Sequence, residues 1–183
     1  ENTISSTLLI GTGYLEHPRR VSIEPAASYL YQSFSLTNIS GTKEQYYRFG
    51  YNVNTSQFGN NTSLGFWKHG LAFEFFNKNS KKKQNLSLGV QISSKHYENY
   101  YSIYNNKDVY SYVALKKNYG NQAILKGYAA LRYKKFTTLP EEDFLEPHGQ
   151  IKLQYFTKKQ TTLELALNLG SKFYTSPIAP LIW

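Results

Sequence analysis

Asn85-Leu86-Ser87-Leu88-Gly89-Val90-Gln91-Ile92-Ser93 decides the fold. Every second side chain is apolar and the intervening ones are polar or absent, which is the period of a β-strand with one oily face and one wet face. The same pattern returns at Leu163, Leu165, Leu167 and Leu169, set against Glu164 and Asn168. It recurs at Ala123, Leu125, Ala129, Leu131 and Tyr133 opposite Lys126, Arg132 and Lys134, and at Ile151, Leu153 and Tyr155 opposite Gln150, Lys152 and Gln154. A sheet with one apolar face fits two architectures. One is a transmembrane barrel with lipid outside and water inside; the other is a soluble barrel or sandwich whose apolar rows face a core.

Extending the reading along the chain predicts strands over 3–14, 27–37, 45–55, 62–76, 84–94, 108–117, 122–136, 149–157 and 161–174. The 183 residues are read as a single β domain of about eight to ten strands, arranged as an antiparallel up-and-down meander that closes on itself. The six prolines are all expected in connections or in the tail, because proline cannot donate to a sheet ladder. No stretch reaches the eighteen or more apolar residues of a membrane helix, so only a closed barrel could carry this chain across a bilayer.

Composition points the same way. Tyr and Phe are abundant, 17 and 11 residues, and many fall near predicted strand ends, where the aromatic girdles of membrane barrels lie. Cys is absent, which excludes disulfides and thiolate metal sites. Met is also absent, so Glu1 is not a translational start, and a removed export signal is expected.

Connection lengths add a second signal. The link at 118–121 is tight, that at 137–148 is long and that at 158–160 is tight again, while 95–107 reads as a long loop or a strand extension. In a meander, alternate connections lie at the same end. Lys43, Lys81, Lys82, Lys83, Lys116, Lys117, Lys158 and Lys159 then gather into a basic rim, and Glu98, Glu141, Glu142, Asp143 and Glu146 gather at the opposite end. The link 77–83 is longer than its place among the short turns would require.

The strands 84–94, 122–136, 149–157 and 161–174, with their aromatic ends and short-long-short connections, resemble those of Gram-negative outer-membrane β-barrel proteins. That resemblance implies residence in the outer membrane, a polar lumen, and a role as scaffold, as subunit of an outer-membrane assembly, or as a narrow pore. Membrane lipids, and other outer-membrane or periplasmic proteins, would be the partners. Leu86, Leu88, Val90, Ile92, Leu125, Leu131, Leu163, Leu165, Leu167 and Leu169 would then face lipid. Lys126, Arg132, Lys134, Lys152, Gln154, Glu164 and Asn168 would line the interior. Two features depart from the pattern: an odd strand count, and the segment Ser176-Pro177-Ile178-Ala179-Pro180, which cannot pair as a central strand.

In the soluble alternative, a secreted or periplasmic barrel or sandwich binds a small or acidic ligand, and Phe66, Trp67, Phe73, Phe75 and Phe76 contribute to its core or pocket. No catalytic activity, cofactor or metal is expected in either case. His17, His69, His96 and His148 lack metal-ligand spacing, and Ser93, Ser94 and His96 offer a nucleophile and base without a third member. A net charge of +9 raises nucleic acid as a partner. The lysines, however, cluster in turns instead of alternating with aromatics along a strand face, which disfavours it.

Overall fold

The fold was analysed in a computed structural model that describes residues 2–15, 27–59, 65–157 and 161–175. The basic residues Lys158 and Lys159, His17 and the proline-containing tail 176–183 lie outside them.

The alternating segments form an antiparallel meander: β1 (Asn2–Leu15), β2 (Ala27–Gly41), β3 (Gln45–Phe58), β4 (Phe66–Asn79), β5 (Gln84–Tyr97), β6 (Asn106–Tyr119), β7 (Ala123–Phe136), β8 (Phe144–Phe156), β9 (Thr162–Gly170) and the short β10 (Phe173–Tyr174). Each of the first seven pairs only with its neighbours in sequence, and β8 pairs with β7, β9 and β10. Three tight connections lie at one end, at 42–44, 80–83 and 120–122. Gly120 turns the last of them with φ +61, in the left-handed region where glycine carries no Cβ penalty. Longer connections at 98–105 and 137–143 lie at the other end. The link expected over 77–83 fits this alternation, because β4 runs on to Asn79 and leaves only 80–83 as the turn.

Several strands are longer than the alternation predicts. β5 runs on to Tyr97 and β6 starts at Asn106, so the tyrosine- and asparagine-rich segment shrinks to a 3₁₀ turn at Asn99–Tyr104. The Asn105 side chain holds that turn by accepting the Tyr97 N–H at 2.6 Å. β8 begins at Phe144, which places Pro147 inside a strand and corrects the expectation that prolines avoid strand interiors. The reason is on the β9 side, where the Pro147 carbonyl accepts the Ser171 N–H at 3.2 Å and the absent proline N–H interrupts the ladder. β9 and β10 therefore share one register on β8, with His148 opposite Gly170 and Leu145 opposite Phe173, and together form a single strand broken at the proline.

The sheet is open among the described residues. β1 pairs only with β2, and β9 and β10 pair only with β8, so the expected closure is not present. Geometry explains the difference. In a meander of nine long strands the first and the last run in the same direction, so joining them would make a parallel pair, which the antiparallel hairpin pattern does not supply.

Among the described residues no second layer covers the sheet. The only buried apolar side chains among the described residues are Tyr101, Ala130 and Phe144. Asp143, from the acidic loop, is also buried: its carboxylate accepts the Phe136 N–H at 2.6 Å and its carbonyl accepts the Thr175 N–H at 2.9 Å, tying the loop to the end of β7 and to the residue that follows β10.

Candidate functional site

Register carries the two-faced pattern across the whole sheet. Phe73 lies beside Val90, Leu88 beside Val113, Leu131 beside Pro147 and Leu153 beside Leu165, so the apolar rows of adjacent strands merge into one band. Leu86, Leu88, Val90, Ile92, Leu125, Leu131, Leu163, Leu165, Leu167 and Leu169 all belong to this face. Its side chains stand open, Leu165 at 72% and Ile92 at 51% exposure. On the strands, Leu9 and Tyr174 apart, every large apolar side chain that is strongly exposed lies on this face. Leu9 is the exception because Leu8-Leu9-Ile10 breaks the alternation on the edge strand β1.

The opposite face carries Lys126, Arg132, Lys134, Lys152, Gln154, Glu164 and Asn168. It is the more sheltered of the two: Ser56, Ser93, Asn106, Ala130 and Phe144, all on it, are buried. Polar side chains bond across strands there. Glu74 on β4 accepts the Tyr46 hydroxyl from β3 at 3.2 Å and the Tyr112 hydroxyl from β6 at 2.8 Å, with Arg48 at 3.7 Å. Tyr112 reaches Glu74 by lying flat over Gly89 of the intervening strand, where any Cβ would overlap the ring.

Arg132 on β7 forms the second cluster. Its Nε and Nη2 donate to Asp108 at 2.9 and 2.5 Å, and its Nη1 lies 3.9 Å from Glu146. A third cluster sits at the β8–β9 edge, where Lys152 meets Glu164 at 2.6 Å, Gln154 donates to Glu164 at 2.9 Å and Gln150 donates to Asn168 at 2.6 Å. Arg132 and its two carboxylates, with Lys68, Tyr110 and His148, border a hollow of about 380 Å³ on this face. A larger hollow of about 970 Å³ lies at the β2–β4 end, with Tyr29, Val53, Phe58, Trp67 and His69 among the residues that line it.

Burial separates these clusters energetically. Asp108 is only 13% exposed, so Arg132→Gln leaves a sheltered carboxylate short of its charge-assisted bonds and is expected to destabilise by about 1.5–3 kcal/mol. Lys152→Gln is expected to cost less, because the carboxylate it would leave behind, Glu164, is 42% exposed and can be solvated. Urea titrations of the two variants in the same lipid or detergent check the order.

Toward the long-loop end, cations of the polar face rest on aromatic rings. Lys95 Nζ lies 3.8 Å from the Phe66 centroid, Lys134 Nζ 5.0 Å from Phe136, and Lys172 Nζ 4.0 Å from Phe144. At the other end, Lys43, Lys81, Lys82 and Lys83 occupy the short turns, and Lys116 and Lys117 lie near the close of β6.

The serine and histidine candidates divide between the faces. Ser93 is buried on the polar face, whereas Ser94 Oγ lies 2.8 Å from His96 Nε2 on the apolar face, with the His96 ring stacked 4.3 Å from Trp67. Among the described residues no side chain bonds the second nitrogen of His96. His69 is bound by the Tyr51 hydroxyl at 2.8 Å and packs against the Trp67 edge. No cluster of potential metal ligands occurs among the described residues.

Sequence reasoning missed Arg48, Glu74, Tyr112 and Asp108 as partners on the polar face. Their positions in the alternation assign them to it, but only the register brings Tyr112 over Gly89 to Glu74. No protein-family profile, curated protein or solved structure matches this chain.

Proposed function

We propose that this chain is a non-enzymatic outer-membrane β-barrel, or a large part of one, that closes around its polar face and acts as a narrow pore or as the barrel subunit of an outer-membrane assembly. The observation that carries the reading is the uncovered apolar face: each strand contributes to a band of exposed aliphatic and aromatic side chains, while the polar face is sheltered and internally bonded. Water penalises such a band, and lipid does not. Strand length supports it. The first eight strands have 13–15 residues, where a tilted strand needs about 9–11 to cross a bilayer and globular strands average about 5–6. The alternation of short turns and longer loops is also that of membrane barrels.

Closure in this reading requires partners for the β1 and β9 edges, since open edges are not tolerated in hydrocarbon. A further antiparallel strand between them satisfies both. The test is membrane fractionation after expression, followed by gels with and without boiling. Recovery in the outer membrane as a heat-modifiable band is the expected result. A monodisperse protein in the soluble fraction would overturn it and turn the same leucine rows inward, toward a ligand-binding core.

A further inference from the structure

We propose that the polar face selects small anions, such as solutes bearing phosphate or carboxylate groups; the inference rests on the barrel reading and names what its interior takes. The first observation is an imbalance of charge. Every carboxylate that the strands place on this face is already engaged: Glu74 with Arg48, Asp108 and Glu146 with Arg132, and Glu164 with Lys152. Lys68, Lys95, Lys134 and Lys172 at the long-loop end form no ion pair among the described residues, nor do Lys116 and Lys126 nearer the short turns. The face thus has positive charge left over after its internal pairs are made.

The second observation is where that charge sits. Lys68 lies directly opposite Lys95 in the β4–β5 register. Lys116 lies opposite Lys126, and Lys126 opposite Lys152, so three adjacent strands carry lysines in one row across the sheet. Like charges directly across a ladder destabilise a sheet, and nothing in the alternation requires them, since any polar residue keeps the pattern. Rows of Lys or Arg along a polar wall are the arrangement by which pores favour anions. Enclosed between low-dielectric walls, such rows concentrate counter-ions, and their reach shrinks from about 8 Å at physiological salt to about 3 Å at 1 M.

The test reconstitutes the full chain in planar bilayers and reads the reversal potential in a tenfold KCl gradient. The expected result is a chloride permeability several-fold above that of potassium, weakening when both solutions are raised to molar salt. Lys126→Glu places a carboxylate between Lys116 and Lys152, so it is expected to bring the permeability ratio toward one while raising the urea midpoint. The Lys68→Gln/Lys95→Gln double variant, which introduces no new charge, lowers the ratio without depending on that substitution. A cation preference, or a ratio that neither variant moves, overturns the inference and leaves the pore intact. Where the folded chain conducts nothing, calorimetric titration of the micelle-bound protein with inorganic pyrophosphate decides. Binding weakened about tenfold by the double variant retains the anion site and rejects the pore, and absence of binding rejects both.

Discussion

Val90→Arg is expected to destabilise the protein in lipid by about 2–4 kcal/mol, while Gln91→Arg, one residue further on, changes stability by about 0.5 kcal/mol or less. Val90 stands near the middle of β5 on the apolar face, 42% exposed, with Phe73 opposite it on β4. Near the bilayer midplane an arginine there must bury its charge in hydrocarbon or distort the bilayer around it. Gln91 points to the polar face, opposite Tyr110 and beside the hollow at Arg132, where a guanidinium meets water and neighbouring polar groups. Because the two positions are adjacent, differences in local strand stability cancel and only the face remains. Urea unfolding in phospholipid vesicles, read by tyrosine and tryptophan fluorescence, measures the pair. Equal costs would contradict the assignment of faces.

Gly89→Val is expected to cost about 2–4 kcal/mol, as overpacking combines with the loss of a charge-assisted hydrogen bond. A Cβ at Gly89 occupies the space of the Tyr112 ring, and Tyr112 cannot lift away without releasing Glu74. Glu74 would then keep Tyr46 at 3.2 Å and Arg48 at 3.7 Å, its longer contacts. The effect depends on the ring, so in a Tyr112→Ala background the same substitution should cost much less. A double-mutant cycle isolates that coupling; additive costs would show that the tyrosine does not bridge across the glycine.

The strand interiors were legible because both side-chain faces of a β-strand differ in chemistry at period two, and Leu86 to Ile92 or Leu163 to Leu169 leave no other reading. The alternation also sorted Lys126, Arg132 and Glu164 from the leucines beside them. It failed where pairing is set by something other than the pattern. Pro147 enters β8 because its missing donor faces the last strand, and no local signal announces which side of a strand a neighbour occupies. Asp143 reads as one acid of a solvated loop, yet it is buried, with its carboxylate accepting the Phe136 N–H and its carbonyl the Thr175 N–H. The bridge from Tyr112 over Gly89 to Glu74, and the opposed lysines, depend on register between strands separated by turns and loops. Periodicity within one strand carries no information about that register. Closure escaped for a related reason: alternation counts strands but does not join the first to the last.

Since the chain has no cysteine, single cysteines can be placed at will and labelled without background. The most direct test of the central claim is a nitroxide scan through positions 86–93 of β5 in lipid vesicles, reading collision rates with oxygen and with a water-soluble nickel complex. Labels at Leu86, Leu88, Val90 and Ile92 are predicted to meet oxygen preferentially, and those at Ser87, Gln91 and Ser93 to meet nickel or to be shielded from both; Gly89, where a side chain would displace the Tyr112 ring, is left unlabelled. An alternation of opposite phase, or no alternation at all, would contradict a sheet that turns its leucines to lipid and its charges inward.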